Sequence, residues 1–357
     1  MHKWSSNGGL GLVIDISTYC NAKCPQCSRT NSDGLNKYDF LPLVHWTLPE
    51  IQLAYPADQL DCVDRINLCP TWGDAMMNPD VYDIVEHFLE NSKNFAEIRI
   101  HTNGSMRDEE FWWKFGFLAL KYRRKIFTVV FDIDGINQEM HSKYRRNTNL
   151  QKVLNNMKAF SDNGKTNVIS QSVIFKHNQD YLKEIGDLAK TYGSQSHTFI
   201  KSDRFLFENN EYKPFHFINE IGESEILEWA DAEFENSFIS HYIVHSHKID
   251  EKIVCKWAMD NILNINFDGQ VWPCCYFGNG DHSKYKQTFL KNDIIQEYNI
   301  MRFDNNVKFT PLKTIIENKW FNGALQKSIE NNPIQQCKKH CSTQIKSFDK
   351  QQIRSKH

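Results

Sequence analysis

Cys20, Cys24 and Cys27 place three thiols within eight residues, at the spacing C-x3-C-x2-C. Thiolates so close together are metal ligands, and a tetrahedral zinc or a four-iron cluster uses four of them. Three thiols leave one metal position for something else. An open position is what separates a catalytic metal centre from a structural one. The competing reading is a zinc site completed by a distant ligand, and it is weakened because no histidine follows the motif before His45. A second set lies far along the chain. After Cys62 and Cys69 no cysteine occurs until Cys255, which is followed by Cys274, Cys275, Cys337 and Cys341. Ten thiols gathered in this way point to two metal sites rather than to structural disulfides in a reducing compartment. Cys62 and Cys69 read as small buried apolar residues, although Cys69 ends a strand on the rim side and a secondary role stays open for it.

The elements that must position these thiols follow a regular pattern. Strand-like segments at 12–16, 65–69, 97–101, 127–133, 168–174 and 197–200 alternate with helical ones at 47–55, 79–92, 108–121, 150–160 and 181–192. Thr47-Leu48-Pro49-Glu50 is a capping box with an early proline. Val81, Ile84, Val85, Phe88 and Leu89 share one helical face, as do Leu150, Val153, Leu154 and Met157. Trp112, Trp113, Phe115 and Phe117 read as helix packing. Six β/α alternations predict an α/β fold, a parallel sheet covered by helices and curved into a partial (β/α)6 TIM-like barrel. Its functional rim is formed by the loops after the strands. Those loops hold the cysteines, Thr71-Trp72-Gly73-Asp74, Thr102-Asn103-Gly104 and Asp134-Gly135. From about Phe205 the pattern changes, and 208–214 reads as a linker. Residues 262–267 and 270–272, joined by Asp268-Gly269, read as a β-hairpin that delivers Cys274 and Cys275. Residues 320–329 read as a helix leading to Cys337. The division expected is a core domain over 8–207 and a smaller α+β domain over 208–357.

The chain has 357 residues, 40% hydrophobic and 24% charged, with a formal net charge of −2. That balance gives no global field for nucleic acid or an anionic membrane. No apolar segment reads as a secretory signal and no run of about 18 apolar residues spans a membrane, so a cytoplasmic protein is expected.

The motif Cys20-x3-Cys24-x2-Cys27, after a first strand and opening an alternating β/α domain, resembles that of the radical S-adenosylmethionine (SAM) superfamily. The resemblance implies a [4Fe-4S] cluster on the three cysteines with SAM on the open iron. In that family one electron from the cluster cleaves SAM to a 5′-deoxyadenosyl radical, which abstracts a substrate hydrogen. Gly73 and Asp74 fall where the family contacts the SAM amino group, although Trp72 and Ala75 depart from its pattern. Thr102 and Asn103 resemble its turn after the third strand. Asp132 and Asp134-Gly135, followed by His141 and Tyr144-Arg145, resemble its fourth-strand segment. Arg145 is the residue that this resemblance assigns to the SAM carboxylate, and either Asp132 or Asp134 to SAM contact. Gln26 stands where many members have an aromatic residue.

Cys255, Gly269 and Cys274 are similar to the opening of the SPASM/twitch extensions of some members. Cys255, Cys274, Cys337 and Cys341 would hold one auxiliary [4Fe-4S] cluster, with Cys275 as a spare or in place of Cys274. A structural zinc at this second site stays open. The implied function is a cytoplasmic oxidoreductase or maturase-type enzyme that oxidises or crosslinks a peptide, protein or small molecule, with an electron donor such as flavodoxin or ferredoxin. The alternative from another class is a non-catalytic zinc-binding interaction protein. His241, His245 and His247 read as one exposed strand face, and Lys201 to Arg204 as a rim loop able to meet an anion.

Overall fold

The computed structural model describes residues 4–31, 33–69, 71–93, 96–163, 166–202, 204–209, 211–230, 253–283 and 286–341. The alternating histidines at 241, 245 and 247, Asp203 and the segment 342–357 lie outside them. Six parallel strands run in chain order: β1 (Leu10–Ile14), β2 (Val63–Leu68), β3 (Glu97–Thr102), β4 (Ile126–Asp132), β5 (Asn167–Ile174) and β6 (Ser196–Lys201). Two two-stranded ribbons follow, β7 (Phe207–Glu208) with β8 (Glu211–Tyr212), and β9 (Phe215–Ile218) with β10 (Ser224–Leu227). The hairpin β11 (Ile262–Ile265) and β12 (Val271–Trp272) then returns to the main sheet. The strand order is β12-β11-β1-β2-β3-β4-β5-β6, with β11 parallel to β1 and β12 antiparallel to β11. The sheet is therefore an eight-stranded, mostly parallel one, consistent with a partial TIM-like barrel.

The helices form where the apolar spacing places them. Val81–Asn91 buries Val81, Ile84, Val85, Phe88 and Leu89, and Leu150–Ser161 buries Leu150, Val153, Leu154, Met157 and Phe160. The Thr47 cap is observed with both of its reciprocal hydrogen bonds to Glu50. In Glu109–Lys121 the aromatic run divides: Trp112 and Phe115 enter the core, whereas Trp113 and Phe117 stack on each other at the surface. At an offset of one residue, two neighbours on a helix cannot share a face.

Two features differ from the sequence expectation. Residues 208–214 are not a bare linker: they carry the β7–β8 ribbon, which leads into β9 and β10. The hairpin at 262–272 also pairs with the first strand of the core, so the C-terminal third of the chain completes the core sheet. Gly269 makes the hairpin turn at φ +86°, and a Cβ there would strike Asn306. No helix among the described residues is long and apolar enough to cross a membrane.

Candidate active site

The cysteine loop leaves the C-terminal end of β1. Cys27 N donates to Cys24 O (3.1 Å), folding the motif into a turn, and Lys23 N donates to Arg146 O (2.9 Å). Ala22 and Cys24 are buried in an apolar cluster with Tyr144, Phe175, Phe205, Phe217 and Leu227, and Cys20 and Cys27 pack at its edge. No periodicity in the sequence announces this cover: β9 and β10 supply Phe217 and Leu227, Ile218 N donates to Asp33 O (2.9 Å), and Arg146 bridges Gly34 O and Ile218 O. Burial pushes the Cys20 thiol well up, with Asp74 and the neighbouring Cys24 and Cys27 adding to it. Burial also pushes Cys24 up to about 12, against the pull of Arg145. Buried thiols held protonated in this way become thiolate ligands when a metal supplies the compensating charge. A donor set of three thiols fits an iron–sulfur cluster with one free iron position.

Around the thiols stand two hydrogen-bond donors, each held from behind by carboxylate. Asn103 Nδ2 lies 3.8 Å from Cys20 Sγ and also donates to Asp74 Oδ2 (2.7 Å) and Asn21 Oδ1 (2.9 Å). Asp74 is buried, and it also accepts from Asn103 N, Thr102 Oγ1 and Met76 N. Burial raises its pKa while these bonds lower it. Arg145 Nη1 lies 4.0 Å from Cys24 Sγ, and the guanidinium forms ion pairs with Asp132 (2.9 Å) and Asp134. Burial would depress the guanidinium, but the two carboxylates outweigh it, and Arg145 is held as a cation. Asp132 also accepts from Gln171 Nε2 (2.7 Å). Gly73 is set by contact: a Cβ would lie 2.7 Å from Thr18 Cα, and Asp74 N donates to Tyr19 O (2.7 Å). The structure thus gathers Gly73, Asp74, Thr102, Asn103, Asp132 and Arg145 around the three thiols. It also gives the oxygens of Asp74 and the guanidinium of Arg145 partners within the chain.

The second set is assembled by the β11–β12 hairpin. Cys255 precedes β11 and Cys274 follows β12, so antiparallel pairing sets entry and exit side by side. Val254 N donates to Cys341 O (2.7 Å), fastening the helix Gln335–Cys341 beside them. The thiols sense one another. Burial first, then Cys275, Cys337 and Cys255, push Cys274 well up, and burial with Cys341 and Cys255 pushes Cys337 up to about 12. Among the described residues no three cysteine sulfurs lie all within 4.8 Å of one another.

Three residues near these sites were not among the predicted site residues. Asp15, just past β1, accepts from Thr71 N (3.0 Å) and Trp72 N (3.3 Å), which ties the Gly73 loop to the first strand. Its other oxygen is buried without a hydrogen-bond partner, and burial pushes its pKa up to about 7. Cys69, read as a small apolar residue, lies within electrostatic reach of Asp15, Cys275 and Asp132; burial above all pushes it up to about 12. Gln26 is buried, with its amide oxygen on Ser202 Oγ (2.7 Å) and its carbonyl on Arg204. A position immediately after a barrel strand was the available signal for Asp15; the same position is what left a secondary role open for Cys69. A separate donor group, Asp268, Asp281 and His282, is bridged by Arg302 and is an ion network.

Residues 14–189 match the model of the Radical SAM superfamily. No curated protein matches the chain. Among solved structures, the chain is similar to SuiB from Streptococcus suis bound to the precursor peptide SuiA, at 13% identity and TM-score 0.55, over 89% of this chain and 67% of that one. Another SuiB structure aligns at 14% identity and TM-score 0.51, over 82% of this chain and 66% of the SuiB chain, just under two thirds. Native anSMEcpe with bound AdoMet aligns at 15% identity and TM-score 0.52, over 90% and 84%. At such identities these likenesses are likenesses of fold. Residues 14–189 of this chain thus match the Radical SAM superfamily model, and the chain shares the fold of these solved structures.

Proposed function

We propose that this protein is a radical SAM enzyme whose first cluster is held by Cys20, Cys24 and Cys27, with an auxiliary iron–sulfur cluster on Cys255, Cys274, Cys337 and Cys341. The observation that carries the reading is the thiol loop: three buried or half-buried thiols on the rim of a parallel sheet, facing donors aimed at two of their sulfurs. When bound, the cluster supplies the electron that cleaves SAM to a 5′-deoxyadenosyl radical, and the difficult chemistry belongs to it. The chain's own groups bind, orient and exclude water. Tyr144, Phe175, Phe205, Phe217 and Leu227 keep solvent from the thiol loop. Arg145 places a positive charge beside Cys24, opposing the negative charge of the thiolate set. Gly73 lets the following loop approach the thiol loop without a side chain between them.

For the second set, the resemblance of Cys255, Gly269 and Cys274 to the SPASM/twitch opening supports an auxiliary cluster in place of a structural zinc. Such a centre is suited to accept an electron from a substrate radical, and flavodoxin or ferredoxin to reduce the first cluster. As substrate class we propose a peptide or protein side chain; SuiB, with the same fold, binds a precursor peptide.

Anaerobically purified protein is expected to hold about eight irons per chain, and dithionite with SAM to yield 5′-deoxyadenosine. Cys24→Ala is expected to abolish that product. Zinc without iron would return the reading to a zinc-binding interaction protein, and an undiminished product from the variant would remove Cys24 from the ligand set.

A further inference from the structure

Asp74, Thr102 and Asn103 stand where the chain resembles a SAM-binding family, yet their polar atoms are turned to one another. Asp74 is buried and takes four donors: Asn103 N (2.9 Å), Asn103 Nδ2 (2.7 Å), Thr102 Oγ1 (3.0 Å) and Met76 N (3.0 Å). Asn103 is buried as well. Its Oδ1 accepts from Ser105 N (3.0 Å) and Ser105 Oγ (2.8 Å), which fixes the orientation of the amide; of the two Nδ2 hydrogens one goes to Asp74 and the other is shared between Asn21 Oδ1 and the Cys20 sulfur 3.8 Å away. The carboxylate therefore holds the amide backbone and side chain together, and the amide addresses a thiol. Cys24 faces a charged donor in Arg145, so the environments of the two sulfurs differ in kind.

We propose that Asn103 is a positioning residue that hydrogen-bonds the Cys20 ligand of the cluster, and that Asp74 is the anchor that aims it. The inference rests on the functional reading above and deepens it. A donor on a ligand sulfur disperses the charge of the reduced cluster and raises its reduction potential, one of the means by which a protein sets that quantity. In this arrangement Asp74 acts on the Cys20 sulfur through Asn103.

The test is an EPR-monitored redox titration of the anaerobically reconstituted full-length protein, following the reduced signal that changes on adding SAM. Asn103→Ala is expected to shift that midpoint to lower potential with iron content unchanged, and Asp74→Asn to shift it in the same direction by less. An Asn103→Ala protein with full iron and the wild-type midpoint overturns the proposal. If that variant does not load iron, the wild-type protein decides. With asparagine labelled by 15N at the side-chain amide, pulsed EPR of the reduced cluster is expected to detect a weak nitrogen coupling, and its absence overturns the proposal. Wild-type protein without iron on Cys20, Cys24 and Cys27 overturns the functional reading and this inference together. Normal iron and normal 5′-deoxyadenosine with an unmoved midpoint in Asn103→Ala overturn the inference alone.

Discussion

Asp15 carries one oxygen bound to two backbone amides and one buried without a partner. Burial lifts its pKa from an ordinary 3.8 to about 7. The folded state therefore holds the proton that the unfolded state releases at lower pH. Stability from this group is complete below about pH 4 and is lost as pH rises toward 7. A pKa difference of one is worth about 1.4 kcal/mol, so the loss is on the order of a few kcal/mol. Asp15→Asn keeps an acceptor for Thr71 and Trp72 and removes the titration. Denaturant melts of the metal-free protein at pH 5 and pH 8 are expected to differ less in Asp15→Asn than in wild type; equal differences would remove Asp15 as the source. Gly73 makes a prediction of another kind. A methyl group there meets the backbone of Ser17 and Thr18, which cannot swing aside as a side chain can. Gly73→Ala is expected to cost about 1–3 kcal/mol by overpacking. It should also lower iron incorporation, read by metal analysis after reconstitution.

At the scale of elements, the cysteine loop is clamped by a ribbon far along the chain. Arg146 is buried, donates to the carbonyls of Gly34 and Ile218, and pairs with Glu220. Arg146→Ala leaves two carbonyls without their donor and separates β9 from the loop. Limited proteolysis is expected to cut between Phe215 and Leu227 several-fold faster in the variant, and an unchanged rate would mean that the apolar contacts alone hold the ribbon. Periodicity made the six core strands and the helices between them legible, because Val81–Leu89 and Leu150–Met157 each bury one continuous face. It could not announce β9 and β10, two short strands whose apolar residues cover a loop instead of repeating a pattern. The thiols were legible by spacing. Asp15 was not, because an acid after a strand looks the same whether it faces water or caps buried amides. Trp113 and Phe117 show the converse, aromatic residues that belong to the run and yet lie outside the core.

For the whole molecule, the consequential pairing is β11 on the outer edge of β1. It adds a register from Gly11 with Ile262 to Ile14 with Ile265, and Trp4 Nε1 donates to Ile262 O (2.7 Å) over the same seam. A chain ending at residue 230 would present β1 as a bare edge with Leu10, Leu12 and Ile14 behind it. Such edges template association. The fragment is expected to aggregate or to melt well below the intact protein, read by size-exclusion chromatography and circular dichroism. A monomeric fragment with the same Tm would show that the core sheet stands without the hairpin.

That seam also sets a clock for the chain as it is made. The contact between Trp4 and Ile262 spans 258 positions. At roughly 5–20 residues per second of synthesis, the first strand waits on the order of 10–50 seconds for its neighbour. Throughout that interval the nascent chain displays an unpaired edge on its oldest strand, and the thiol loop beside it already exists while the sheet's final strands do not. Long-range parallel pairing is slow even after release. Closure of the core sheet at its first strand therefore waits until nearly three quarters of the chain has been made.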